Sequence, residues 1–180
     1  FDLVVGDEIQ DWNAAQLWIV RRMLSETGRC VLVGAPYQAI YGWRGAKMEH
    51  ILEFENRYPG AATIILERNY RSTGTLVAAA NRVIEKNVNR KEKRSTTDNP
   101  LGEPITLHGA VSAEEEARWV ARMCKKLIKG EVPLYTPQSG VSGEQAEPVL
   151  AESIAVLYRT NFQSRALEEG FLREGLPYKL

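Results

Sequence analysis

Two adjacent carboxylates, Asp7 and Glu8, stand directly after the apolar run Phe1–Gly6 (FDLVVG) in this 180-residue chain. A carboxylate pair delivered to the C-terminal end of a buried strand suits a Mg²⁺ ion and an attacking water beside a nucleoside triphosphate. Asp7 can coordinate the metal directly or through water, and Glu8 can polarise the attacking water. A bare Asp-Glu pair has a plainer explanation, an acidic helix N-terminus favoured by the helix dipole. A second apolar run, Cys30–Gly34, enters a turn of Gly34, Ala35 and Pro36 and is followed by Gln38, Tyr41, Trp43 and Arg44. The Gln38 amide can bond a terminal phosphate oxygen and register its loss. An exposed tryptophan beside an arginine makes a base-stacking platform. Gly42 and Gly45 around Trp43 suit a turn better than a packed helix; the alternative is that Tyr41 and Trp43 plug a core. The two motifs together point to ATP hydrolysis linked to the holding of single-stranded nucleic acid.

The elements that must position these groups are legible as periodicity. Strand-like apolar runs fall at Leu3–Gly6, Cys30–Gly34, Thr63–Glu67, Ile105–His108 and Ser153–Tyr158. Helical patterns fall between them at Asn13–Ser25, Lys47–Tyr58, Thr73–Asn87, Ala113–Lys129 and Gln163–Glu174. This alternation predicts an α/β fold built on a parallel sheet. In the fourth helix Ala117, Val120, Ala121, Cys124 and Leu127 share one face, and Ser112 with Glu115 forms a capping box at its start. Two stretches lack such order: the polar connector Asn87–Pro104, and a Gly- and Pro-rich insertion at about 129–152.

Composition is that of a globular chain. Hydrophobic residues make up 44% and charged residues 26%, and the formal net charge is zero, so bulk electrostatics do not advertise a polyanion partner and any nucleic-acid contact must be local. Arg82–Arg94 carries six basic and two acidic residues, which suits either a solvated helix end or a phosphate contact. Cys30 and Cys124 sit in apolar patterns and are expected to be buried structural thiols. No cysteine pair has metal-ligand spacing, which argues against structural zinc. Neither a leader nor a membrane-spanning run is visible, so a soluble, reducing compartment is expected: cytoplasm or nucleoid, or a nucleus or organelle in a eukaryote. The chain opens without an initiator methionine and closes on Tyr178-Lys179-Leu180 as if entering a strand, so a piece of a longer protein is expected.

Four blocks in fixed order make the chain resemble superfamily 1 DNA helicases of the UvrD/PcrA/Rep type. They are DEIQD at Asp7–Asp11, QAIYGWRGA at Gln38–Ala46, LERNYRS at Leu66–Ser72 and VLYRTNFQSRALEE at Val156–Glu169. The resemblance implies a RecA-like parallel sheet with parts of two motor domains, residues 1–70 from the first and 71–180 from the second. It implies ATP and Mg²⁺ as cofactors, with Asp7 as metal ligand, Glu8 as catalytic base, and Gln10 and Gln38 at the nucleotide. Gln38 would couple the γ-phosphate to DNA through Tyr41, Trp43 and Arg44. Tyr70 would stack on adenine, Arg71 would act as an arginine finger, and Arg159 and Asn161 would meet the single strand. Read from the residues alone, Tyr70 and Arg71 equally suit a hinge ion-pair cluster, and Arg159 and Asn161 suit a cap on the following helix. The implied partners are single-stranded DNA, single-strand/duplex junctions, and repair or replication proteins; the implied activity is unwinding, 3′ to 5′.

Departures qualify the resemblance. Family members usually carry acidic residues where this chain has Ala35 and Tyr37, and a small polar residue where it has Trp12. No G-x-x-x-x-G-K-[ST] phosphate loop occurs in the chain, so the isolated chain is expected to hydrolyse ATP negligibly. The rival readings are a nucleic-acid-binding scaffold that has lost turnover and a helicase–nuclease subunit of the RecB or AddA kind.

Overall fold

The structure, a computed structural model, describes residues 1–47, 49–87, 93–132 and 148–180. The chain divides into two compact units. The first comprises Phe1–Arg68 with Ala79–Thr96, and the second Asn69–Ala78 with Thr97–Leu180.

The first unit is built on one β–α–β crossover. Strand β1 (Leu3–Gly6) and strand β2 (Arg29–Leu32) pair in parallel, with Leu3 opposite Arg29 and Gly6 opposite Leu32. Helix α1 (Ala14–Met23) makes the return, as a parallel pair requires. Its start is fixed by a reciprocal cap. Asn13 Oδ1 accepts from Gln16 N–H at 3.0 Å and Gln16 Oε1 accepts from Asn13 N–H at 2.9 Å, satisfying two donors that a helix start leaves over. The ladder continues past the strands through Val33 N–H to Gly6 O at 2.8 Å and Ile9 N–H to Val33 O at 3.1 Å.

The sheet is smaller and more open than the apolar runs imply. Among the described residues β1 and β2 are the only strands. The expected strands at Thr63–Glu67, Ile105–His108 and Ser153–Tyr158 have no ladder, and Ile64, Leu66, Leu107 and Leu157 are exposed. Apolar content signals that a segment needs cover, but strand formation also needs a neighbouring backbone to pair with. A single parallel bridge, Arg68 to Thr96, is all that forms beside the third run. The same openness corrects two burial expectations: Leu3, Val5 and Val31 are exposed, and so is Cys30, while Cys124 is buried.

The helix expected over Lys47–Tyr58 is two short ones, α2 (Glu49–Leu52) and α3 (Phe54–Arg57). Glu53 between them leaves helical geometry at φ −96°, ψ 9°, the sparsely allowed bridge region.

In the second unit the regular packing lies between α5 (Ala113–Ile128) and α6 (Ser164–Glu174). Ala117, Ala121 and Cys124 are buried along α5, with Val120 and Leu127 half-buried beside them, so the expected face is the observed one. A Cβ placed on Gly170 of α6 would lie 2.9 Å from Ala117 O, which shows that the backbones touch there. Ser112 Oγ accepts from Glu115 N–H at 3.2 Å, while the Glu115 carboxylate accepts from Val111 N–H at 3.0 Å. Only the serine arm of the expected capping box is thus made, because the Glu115 carboxylate takes the Val111 N–H in place of the Ser112 N–H. Helix α6 ends on Gly175 at φ 67°, and Leu176 N–H closes onto Phe171 O at 3.0 Å, a glycine stop of the Schellman kind. Helix α4 (Gly74–Ile84) contributes residues to both units. Most of the expected 129–152 insertion and part of the Arg82–Arg94 basic segment lie outside the described residues.

Candidate functional site

The candidate site residues divide between the units. Asp7, Glu8, Gln10, Gln38, Tyr41, Trp43 and Arg44 belong to the first, and Tyr70, Arg71, Arg159 and Asn161 to the second.

In the first unit, β1 ends at Gly6 and exposes Asp7 and Glu8 at its C-terminal edge, as the motif predicts. Their turn is strained. Glu8 sits at φ 53°, ψ 40°, and among the described residues it is the one non-glycine with positive φ. A side chain in this left-handed region is uncommon and costs about 1–3 kcal/mol unless its surroundings enforce it. Three contacts do so. Glu8 N–H donates to Asp7 Oδ1 at 2.8 Å, Asp11 N–H returns to Glu8 O at 2.9 Å, and Gln10 Nε2 donates to Glu8 Oε2 at 2.5 Å. Gln10 is only 1% exposed, and its Oε1 accepts from Ala35 N–H at 2.9 Å. The resemblance puts Gln10 at the nucleotide; the structure turns it inward with both ends of its amide engaged.

Gly34 and Gly6 permit this close approach. A Cβ on Gly34 would lie 2.7 Å from Ile9 Cγ1 and 3.0 Å from Gln10 Oε1, and one on Gly6 would run into the Trp12 indole. Trp12 therefore covers the strand end rather than leaving it to solvent. Gln38 follows on a single turn of 3₁₀ helix, Pro36–Gln38, closed by Gln38 N–H to Ala35 O at 2.8 Å, and its side chain is exposed.

Five residues later the chain displays an aromatic surface. Trp43 is 75% exposed, and its ring centroid lies 6.3 Å from that of half-buried Tyr41, tilted by 53°. The Arg44 guanidinium sits 4.6 Å from the Trp43 ring centroid and 5.2 Å from that of Tyr41, within cation–π range. Gly45 at φ 80° turns the chain back, and Ala46 bridges to Asn13. The core-plug alternative therefore holds in part for Tyr41 and not for Trp43.

In the second unit Tyr70 is 76% exposed and Arg71 is exposed. Their backbone is held by two asparagines that the motif reading passes over. Asn69 Oδ1 accepts from the N–H groups of Arg71 and Ser72 at 2.9 and 2.7 Å, an Asx turn. Asn99 Nδ2 donates to the carbonyls of Tyr70 and Ser72 at 3.2 and 3.1 Å. Asn69 was recoverable, since Asn before a turn of two polar residues is a known local signal; Asn99, distant in sequence, was not.

Arg159 and Asn161 are exposed before α6. Gln163 Oε1 accepts from Arg159 N–H and Thr160 N–H, both at 2.9 Å, so the helix entry is capped through Thr160 and Gln163. That leaves the Arg159 and Asn161 side chains outside the cap. Among the described residues no group of three or more His, Cys, Asp or Glu could hold a metal, and no helix is long and apolar enough to cross a membrane.

Two family models match successive parts of the chain, and residues 79–96 of the first unit fall within the second match. Residues 1–59 match the UvrD/REP helicase N-terminal domain, and residues 64–180 match the UvrD-like helicase C-terminal domain. DNA helicase II of Escherichia coli (strain K12) is 41% identical over 180 residues, all of this chain and 23% of that protein. DNA helicase II of Salmonella typhimurium shows the same identity and coverage. The ATP-dependent DNA helicase PcrA of Staphylococcus aureus (strain Mu50) is also 41% identical, over all of this chain and 22% of that protein. The chain thus spans less than a quarter of the length of these curated relatives. With its ordered motifs placed on both domain matches, the chain belongs to the UvrD-like helicase family.

Proposed function

We propose that the chain works as part of a longer ATP-dependent DNA helicase that moves on single-stranded DNA and unwinds duplex, 3′ to 5′. It contributes the carboxylate edge of one RecA-like motor domain, residues 1–70, and the opening part of a second, residues 71–180. The observation that carries this reading is the exposed Asp7–Glu8 pair at the C-terminal edge of a parallel sheet, held one hydrogen-bonded turn from Gln38 and followed by the exposed Trp43. Ligands of open α/β sheets bind at that edge.

The donor set fits Mg²⁺, an ion held by one or two carboxylates with water and phosphate rather than by an all-protein cage. Asp7 would hold it, and when bound it supplies charge neutralisation at the nucleotide phosphates. Glu8 takes the proton of the attacking water, and Gln38 donates to a γ-phosphate oxygen. Arg71 offers a guanidinium to the developing charge, and Tyr70 a flat face to adenine. Trp43, Tyr41 and Arg44 stack against bases, while Arg159 and Asn161 meet the strand from the second unit. Single-strand/duplex junctions and repair or replication proteins are the expected partners. Lacking a phosphate-loop lysine, the 180-residue chain alone hydrolyses ATP negligibly.

Glu8→Gln in the longer polypeptide tests this. ATP turnover stimulated by single-stranded DNA is expected to fall by about 10²–10⁴-fold, the usual worth of a general base, with DNA binding retained. Unchanged turnover would favour the scaffold reading, to which Ala35 and Tyr37 point.

A further inference from the structure

We infer that Gln10 is a positioning residue of the carboxylate site: its amide ties Glu8 to the turn that carries Gln38. The inference rests on the reading of Glu8 as the base and gives Gln10 a part other than nucleotide contact.

Among the described residues Gln10 is the largest fully buried side chain. A polar group in that position needs its hydrogen bonds met, and here both ends are spent on the site. Nε2 reaches Glu8 Oε2, and Oε1 receives Ala35 N–H. Ala35 O in turn receives Gln38 N–H, so a continuous relay runs from the Glu8 carboxylate through one amide to the Gln38 turn. The amide has a single workable orientation, because a flip would set its oxygen against the carboxylate and its NH₂ against the Ala35 donor. Gly34 presses the turn onto Gln10 Oε1, with no room for a Cβ. The left-handed Glu8 backbone is enforced from the side chain as well as from the main chain. Displacement of the Gln38 turn is thereby felt at the Glu8 carboxylate.

Two substitutions separate positioning from mere packing. Gln10→Glu keeps an acceptor for Ala35 N–H but sets a carboxylate against Glu8; Gln10→Leu keeps the bulk and loses both bonds. In the 180-residue chain, amide hydrogen exchange at Ala35 should be protected, with protection kept in Gln10→Glu and lost in Gln10→Leu. Exchange of the unsubstituted Ala35 amide at its unprotected rate would overturn the inference without reference to activity. In the longer helicase both variants should lower kcat by about 10–100-fold, the usual cost of losing a supporting partner, with KM for ATP unchanged. A kcat within twofold of the parent, or a rise in KM alone, would overturn it. Should Gln10→Leu fail to fold, Gln10→Glu and the Ala35 exchange decide. If Glu8→Gln leaves ATP turnover intact, the proposed function fails, while the Ala35 exchange still reports whether the bridge exists.

Discussion

The strand-edge site of the first unit and the α5–α6 pair of the second are built on opposite terms. The helix pair follows every local rule: a serine N-cap, an apolar face at helical spacing, a glycine where backbones touch and a glycine at the stop. The strand edge breaks several. It holds Glu8 in a left-handed conformation, leaves Trp43 in solvent and buries an amide instead of an aliphatic group. Regions whose local preferences agree with the fold carry stability, and regions that violate them at a defined cost are where function concentrates.

Substitutions in the two regions should therefore have separable effects. Trp43→Ala should weaken single-stranded DNA binding by about 1–3 kcal/mol per stacked base, roughly 5- to 150-fold in Kd. Fluorescence anisotropy would measure this, and thermal melting should hardly change. A large loss of stability instead would make Trp43 part of a core and dissolve the contrast. Gly170→Ala should do the reverse and lower stability by about 1–3 kcal/mol, because the added methyl meets the Ala117 carbonyl rather than a movable side chain. Chemical denaturation followed by circular dichroism would read this. Ser112→Ala should cost about 1 kcal/mol through the lost cap, measurable in the same experiment.

The smallest effect is an acid dependence confined to the helix pair. Hydrogen bonds from Lys125 and then Arg122 hold the Glu174 carboxyl below its usual range. A depressed folded value means that the unfolded chain takes up this proton first. The contribution is therefore full above the unfolded value of about 4.3 and is lost as pH falls through the folded one. Melting temperatures taken across that acid window should fall more for the parent than for Glu174→Gln.

Some features needed only neighbours in sequence. Asp7 and Glu8 follow a strand, Asn13 and Ser112 start helices, and the buried face of α5 repeats at helical spacing. Hydrogen bonds reaching three or four residues and a fixed rotation per residue settle such matters locally, and the ordered motifs carry the family with them. Other features depended on partners far along the chain. Gln10 meets a backbone donor 25 residues away, and Asn99 clamps a loop 29 residues before it. Three apolar runs remain outside any ladder because pairing is decided by whichever strand lies alongside. The residue types of the site were thus determined by the sequence alone. The strained direction of Glu8, the inward turn of Gln10 and the exposure of Cys30 were decided by tertiary structure, because burial and hydrogen-bond satisfaction belong to pairs of segments and not to either one.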